Sequence, residues 1–414
     1  YNAYIFIYYM CLPVNSVNKV ISLIENVLEK AYIEGFEQER YDEVIHKFEI
    51  DAHKQSDCMG FEYYSKIIFG SCFGFDPHIC LDGSFFIESI HANLKNNPKY
   101  YQELIKPLFL DNKHKLTMIV KPVKGFIESI NKKITKELAK QKKQLSQKQI
   151  NQIMNNYIIL KESLEKPQPV ELLPSLKKSD IQVECEQDEY SEIDENIFVC
   201  TKPLNGMTYI RFFLKIDFKH ELFNYLPLLT YLIHKVGADQ MDNAQLDSYI
   251  RLHCSGINFS IYERANPNNC EEGYAEIVAS TKCLDRNIEK TIDIFRMIFL
   301  KPRLFNPLEI MKMTKNFLDY LNNLNNQGSS SLFLLAKSNL TNSCAIANVL
   351  RGPYQINFLK GLIEKNDWFD VSIELINTYH RIFLNAKVDC NIETEIEYSS
   401  FIDPIKEIIK SFNE

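Results

Sequence analysis

Metal-ligand spacing is the first thing this sequence lacks. Its eleven cysteines, at 11, 58, 72, 80, 185, 200, 254, 270, 283, 344 and 390, are odd in number and never fall as C-x-x-C. That argues against a structural zinc site and against a disulfide framework. Free, mostly buried thiols in a reducing compartment are the expectation. The nine histidines, at 46, 53, 78, 91, 114, 220, 234, 253 and 380, are never four residues apart. Neither His-x-x-Glu-His nor His-Glu-x-x-His therefore occurs; His220-Glu221 opens the second pattern, but position 224 is Asn. There is no surplus of positive charge either. A net charge of −7 speaks against nucleic acid as the main partner. No apolar run is long enough to span a membrane, and Tyr4–Met10 is too short and lacks a signal peptide's basic flank. No nucleic-acid and no membrane partner is expected. The chain opens on Tyr1 rather than Met, so the expectation is that the native N-terminus, with any targeting signal, lies elsewhere.

What is present is ordinary globular material: 45% apolar and 24% charged residues over 414, enough for two or three domains. Residues 4–10 read as a buried strand. Val17, Val20, Ile21, Ile24, Val27 and Leu28 recur at helical spacing, and Gly35 closes that helix. A second helix is expected over 37–53, mixed structure with turns at Gly70, Gly74 and Asp76-Pro77 over 56–96, a helix over 99–109, and a strand at Leu116–Val120. Residues 123–166 are rich in lysine and nearly free of glycine. Ile127, Ile130, Ile134 and Leu138 form one apolar stripe, and Ile150, Ile153, Tyr157, Leu160 and Leu164 another. With Ser146 as a helix start between them, these stripes predict two long helices paired as an antiparallel hairpin. An extended acidic connector follows. Residues 196–414 read as a complete α+β domain, with strands at 196–201, 207–217, 256–262, 273–280 and 387–392. Helices are expected at 220–236, 243–253, 286–300, 307–326, 355–365, 368–384 and 402–413.

The order of elements repeats. Strand 4–10, helix 14–34, a long second helix, the segment from Asn97 to Leu110 and strand 116–120 reappear as 274–280, 284–301, the helix after Pro302, Asn366 to Leu384 and 387–391. Only the second copy is preceded by about 75 further residues of strands and helices. The expected fold is α+β: two related domains, each an antiparallel sheet flanked by helices, joined by a helical hairpin. The expected divisions are 1–122 as the C-terminal half of a domain, 123–170 as hairpin, 171–195 as connector and 196–414 as a whole domain.

Candidate chemistry is sparse. Glu43, His46 and His53 fall near one helix face, where they could join a metal site if another ligand came from elsewhere. The simpler reading is a solvated face with local ion pairs. His253 and Cys254 are adjacent, but neighbouring side chains point apart, so core packing of the cysteine is the simpler reading. No G-x-S-x-G exists, and Gly328-Ser-Ser-Ser331 reads as a turn rather than a phosphate cradle. Lys132, Lys133, Lys136, Lys140, Lys142 and Lys143 could attract an anionic surface but read as a solvated helix face. The strands at 207–217 and 256–262 are candidates to meet an extended peptide by strand addition, with ordinary core as the alternative. No catalytic, metal or cofactor-binding residue is assigned, and no individual substrate contact.

The stretch Asn97-Pro-Lys-Tyr-Tyr-Gln-Glu-Leu to His114-Lys-Leu-Thr-Met-Ile-Val120 resembles the end of the second domain of pitrilysin/insulinase-type zinc metallopeptidases of the presequence protease and falcilysin branch. Leu173-Pro-Ser-Leu-Lys-Lys-Ser-Asp-Ile181 resembles the phrase after their helical hairpin. Asn205-Gly-Met-Thr-Tyr-Ile-Arg-Phe-Phe-Leu214, Tyr225-Leu-Pro-Leu-Leu229 and Ser255-Gly-Ile-Asn-Phe-Ser260 resemble the opening of their third domain. The resemblance implies a four-domain peptidase whose two halves close around a chamber. It also implies zinc held by a His-x-x-Glu-His motif in a domain outside these residues. This chain would then be a non-catalytic internal segment, inactive alone, supplying hinge hairpin and chamber wall. Peptides, the N-terminal catalytic domain and a C-terminal domain would be its partners, and a mitochondrial or other organelle lumen its place. A catalytically inactive scaffold or partner subunit of the same fold is the alternative.

Overall fold

The computed structural model describes residues 5–10, 12–53, 59–81, 83–165, 177–180, 188–216, 221–266, 268–325 and 328–412. Two compact units result. One gathers residues 30–105 and 188–414, the other residues 4–29 and 106–187.

Helix formation follows apolar spacing through the first part of the chain. The helices are α1 (Val17–Glu34), α2 (Gln38–His53), α3 (Met59–Cys72), α4 (Pro77–Leu81), α5 (Gly83–Asn96) and α6 (Tyr100–Ile105). Gly35 takes a φ of +80° directly after α1, the left-handed stop that a glycine accommodates without strain. Gly70 lies inside α3; the turn comes at Gly74. The two expected strands are absent. Residues 5–10 and 116–120 are neither helix nor strand, and Leu116 and Val120 are each 84% exposed. An apolar run becomes a strand only where another strand accepts its backbone hydrogen bonds, and neither stretch has such a neighbour among the described residues. Apolar side chains on α1, α3 and α5, such as Ile33, Phe61, Phe69 and Phe85, likewise stand exposed.

In the second unit, α7 (Phe126–Gln144) and α8 (Gln147–Glu165) meet at Leu145 and Ser146. The Ser146 backbone N–H donates to Gln149 Oε1 at 2.9 Å, and Gln149 N–H donates back to Ser146 Oγ, fixing the start of α8. Neither helix buries a residue. Ile127, Ile134, Leu138, Ile153, Tyr157, Leu160 and Leu164 are all more than half exposed, so the expected pairing of the two stripes is not seen. Most of the connector phrase 173–181 lies outside the described residues.

The later domain is built on one sheet. Its strands are β1 (Ser191–Asp194), β2 (Ile197–Thr201), β3 (Met207–Ile216), β4 (Asn258–Asn266), β5 (Asn269–Leu284) and β6 (Lys387–Thr394), in the order β1-β2-β6-β3-β5-β4. The sheet is mixed, not antiparallel throughout: β2 runs parallel to β6. Alternation sorts its faces. Ile210, Phe212, Leu214 and Ile216 of β3, with Ala275, Ile277 and Ala279 of β5 and Val388, Cys390 and Ile392 of β6, point to the core. Helices α9 (Leu226–Leu232), α10 (Asn243–His253), α11 (Ile288–Leu300), α12 (Pro307–Asn325), α14 (Asn342–Arg351), α15 (Pro353–Lys365), α16 (Trp368–Thr378) and α17 (Ser399–Lys410) contribute to that same core. A shorter helix, α13 (Ser329–Lys337), leaves Leu332 and Phe333 exposed. Phe212 sits at the centre, edge-on to Phe295 and Phe299 at 5.0 and 5.2 Å.

The repeat reappears in its helical parts. A π-helical turn at Lys106–Leu110 follows α6, and another at Tyr379–Phe383 follows α16, at matching places in the two copies. Among the described residues the strands of the first copy do not form.

Candidate functional site

One face of the sheet is helix-covered; the other is a surface. Directly paired residues share a face, so Tyr209, Arg211, Phe213 and Lys215 of β3 stand beside Glu393, Asn391 and Asp389 of β6 and Ser280, Val278 and Glu276 of β5. Phe198 joins them from β2, and Ser260, Tyr262 and Arg264 from β4. Most are only partly buried. At one end of this face Ile50 of α2 packs with Leu204, Met207 and Leu284 in a small second core.

Charge on this face is internally matched. Glu393, 8% exposed, accepts from Tyr190 Oη at 2.8 Å, from the Arg211 guanidinium and from Lys202 Nζ at 3.1 Å. Burial alone would raise its carboxyl, but these three donors hold it below the usual range. Burial, reinforced by Glu393, pushes the Tyr190 phenol up to about 12. Lys215 pairs with Asp389 at 2.7 Å and Arg264 with Glu276 at 2.6 Å. Each of these three carboxylates is engaged by a cation. Aromatic rings, Tyr209, Phe213, Phe198 and Tyr262, lie between the pairs. Such a surface can hold a chain by stacking and hydrogen bonding.

Of the two strands expected to meet peptide, β3 is unavailable for strand addition. It lies inside the sheet with β5 and β6 on its two sides, so its backbone groups are spent. β4 is an edge strand and leaves one side open.

The metal candidates are brought only partly together. Glu43 and His46 share a buried face of α2, at 7% and 5% exposure. Arg40, Ser248 and Arg251 contact Glu43. His46 Nδ1 lies 2.7 Å from the Arg251 carbonyl, and Asn287 Nδ2 lies 3.0 Å from His46 Nε2. A carbonyl only accepts, so Nδ1 carries the proton and Nε2 receives the Asn287 amide. Both ring nitrogens are occupied. His53 turns to the Glu49 carbonyl at 2.8 Å instead of joining them. Among the described residues no three His, Cys, Asp or Glu side chains group as metal ligands would. With both His46 nitrogens engaged and His53 turned away, Glu43, His46 and His53 do not fit a zinc site. The face is therefore neither a metal site nor solvated; it docks on α10, some two hundred residues away in sequence, which helix spacing alone could not reveal.

The remaining candidates separate in the same way. Cys254 is buried and its thiol pushed up by that burial, while His253 lines a cleft of about 540 Å³ with His46, Glu49 and His91. They form no nucleophile–base couple. Cys200, Cys283 and Cys390 are also buried thiols. Gly328, with φ +63°, is the turn ahead of α13, and Ser331 Oγ donates to Asn325 Oδ1 at 2.7 Å. The lysines of α7 are exposed. His220 lies outside the described residues. No helix among the described residues is long and apolar enough to cross a membrane.

The family model described as peptidase M-16C associated matches residues 120–362, more than half of the chain. This chain belongs to that peptidase-associated family. The match places it within the pitrilysin type, on the presequence-protease side. The peptidase-associated chain is 26% identical over 365 residues to the mitochondrial presequence protease of Mus musculus, covering 85% of this chain and 34% of that protein. It is 25% identical over 379 residues to the mitochondrial presequence protease of Danio rerio, covering 89% and 36%. It is 25% identical over 406 residues to a protein named HypA from Clostridium perfringens, covering 94% and 40%. The chain thus spans little more than a third of the length of the relatives it matches.

Proposed function

We propose that this chain is a non-catalytic part of a zinc metalloendopeptidase that degrades peptides in a closed chamber. Residues 123–170 would act as its hinge hairpin and the sheet of residues 191–394 as part of its wall. The observation that carries this reading is the open sheet face: half-buried aromatics and matched charges on one side, a complete helical core on the other. Zinc would be held outside these residues, by a catalytic domain that also activates water. The exposed apolar faces of α1, α3 and α5 are the surfaces that further domains of a longer protein would cover. Peptides are the substrates, and a mitochondrial or other organelle lumen is the compartment, as the relatives' names suggest.

The wall reading is tested in the full-length protein. Replacing Phe213 by Ala removes an aromatic contact made equally to bound peptide and to the transition state. KM should rise roughly three- to tenfold with kcat nearly unchanged. An unchanged KM in a folded variant would remove the wall from peptide binding.

A further inference from the structure

The docking of α2 uses polar groups that the open sheet face does not need. The Ser248 hydroxyl of α10 lies within hydrogen-bond reach of both Glu39 and Glu43. Arg251 of α10 contacts Glu43 through its side chain at 3.4 Å and His46 through its carbonyl. Glu49 pairs with Arg286, and the Asn205 amide reaches the His53 carbonyl at 3.4 Å. Ile50 adds an apolar anchor against Leu204, Met207 and Leu284. An interface held mainly by hydrogen bonds and ion pairs, around a histidine with 5% exposure, is poised to come apart when that histidine changes charge.

We propose that α2 is a releasable clasp on the domain of residues 188–412, closed while His46 is neutral and opened when His46 takes up a proton. In the closed state Nδ1–H donates to the Arg251 carbonyl and Nε2 accepts from the Asn287 amide. A proton on Nε2 sets two N–H donors against each other in a buried place. The surrounding charges do not cancel this. α2 itself offers Asp42, Glu43 and Glu49, but Glu43 is already engaged by Arg40 and Arg251, and Glu49 by Arg286. α5 brings His91 and Lys95, α10 brings Arg251 and His253, the segment leading into α11 brings Arg286, and α11 itself brings Lys290. Burial first, with Arg286 adding to it, lowers His46 below its ordinary 6.5 despite the Arg251 carbonyl and Glu49. The sign follows. A base whose proton affinity is lowered by docking favours the docked form above its free value. It loses that advantage as pH falls below about 6.5.

Hydrogen–deuterium exchange of residues 40–53 in the 414-residue chain, corrected for the intrinsic rate at each pH, reads the clasp. From pH 7.5 to 5.5 their protection should fall by up to about tenfold, the most that uptake of one proton can yield over the pH unit below about 6.5. Protection of residues 207–216 should stay constant. In His46→Gln the profile over α2 should be flat. In Asn287→Asp a carboxylate meets the protonated Nε2, and Asp also suits this position at the N-terminus of α11, so protection should hold or rise on acidification. The proposal is overturned by pH-independent protection in the wild type, by a fall in Asn287→Asp equal to the wild type's, or by parallel loss in residues 207–216.

Discussion

Arg351 and Glu263 show how single residues hold the later domain together. Arg351 ends α14, and its guanidinium donates to both Glu263 oxygens on edge strand β4, at 2.5 and 2.6 Å. Burial would raise the Glu263 carboxyl, but the Arg351 bonds outweigh it and hold the group below its ordinary 4.5. A carboxyl lowered by folding stabilises the fold above its unfolded value and loses that contribution as pH falls through the folded one. Arg351→Ala should cost about 1–2 kcal/mol at neutral pH in urea unfolding. Its stability should also fall less steeply than the wild type's below pH 4.5, because the linked contribution has gone. An equal acid slope in both proteins would remove this pair from the pH dependence. The pair could not be read from the sequence: 88 residues separate its members, and only the packing of α14 on the sheet brings them together. Glu43 and His46 behave alike. Their shared helix face is legible in the spacing, their partners are not, because Ser248, Arg251 and Asn287 come from distant elements.

Elements with internal hydrogen bonds are the legible ones. Helix 243–253 matches its expectation because its start signal is local: Asp242 accepts from Gln245 N–H at 2.9 Å, and Gln245 accepts from Asp242 N–H at 3.0 Å. Asp242→Ala should remove about 1 kcal/mol of stability, measured by chemical unfolding, and loosen α10 where it receives α2. No change would mean that the capping box contributes nothing here. Helix α14 carries a comparable signal: Thr341 Oγ1 accepts from Cys344 N–H at 3.2 Å. The Ser- and Asn-rich stretch around it masks that signal by reading as turn. Strands depend on context. β3, β5 and β6 match expectation because each has partners within the domain. Residues 5–10 and 116–120 have the composition of strands and, among the described residues, no strand beside them to complete a ladder. β1, with the sequence Ser-Glu-Ile-Asp, is an edge strand too polar to announce itself. The two hairpin helices are legible for the same reason as α10, but their stripes, which suggest a pairing seam, stand exposed.

At the scale of the whole molecule, the sequence pattern and the structure agree on an α+β segment, and the family match agrees with the resemblance read from the sequence. On the open face of the later domain Glu393, Asp389 and Glu276 are each paired with a cation, an arrangement that suits the contact role proposed for it. On the reading proposed above, catalysis belongs to a domain outside these residues; the chain spans 34% of the length of its Mus musculus relative. The most direct test sets the 414-residue chain beside the full-length protein and measures, for each, bound zinc per molecule and chelator-sensitive cleavage of a fluorogenic peptide. One zinc and cleavage in the full-length protein, with neither in this chain alone, is the predicted result. Cleavage by this chain alone with stoichiometric zinc, or a full-length protein with neither zinc nor cleavage, would contradict it.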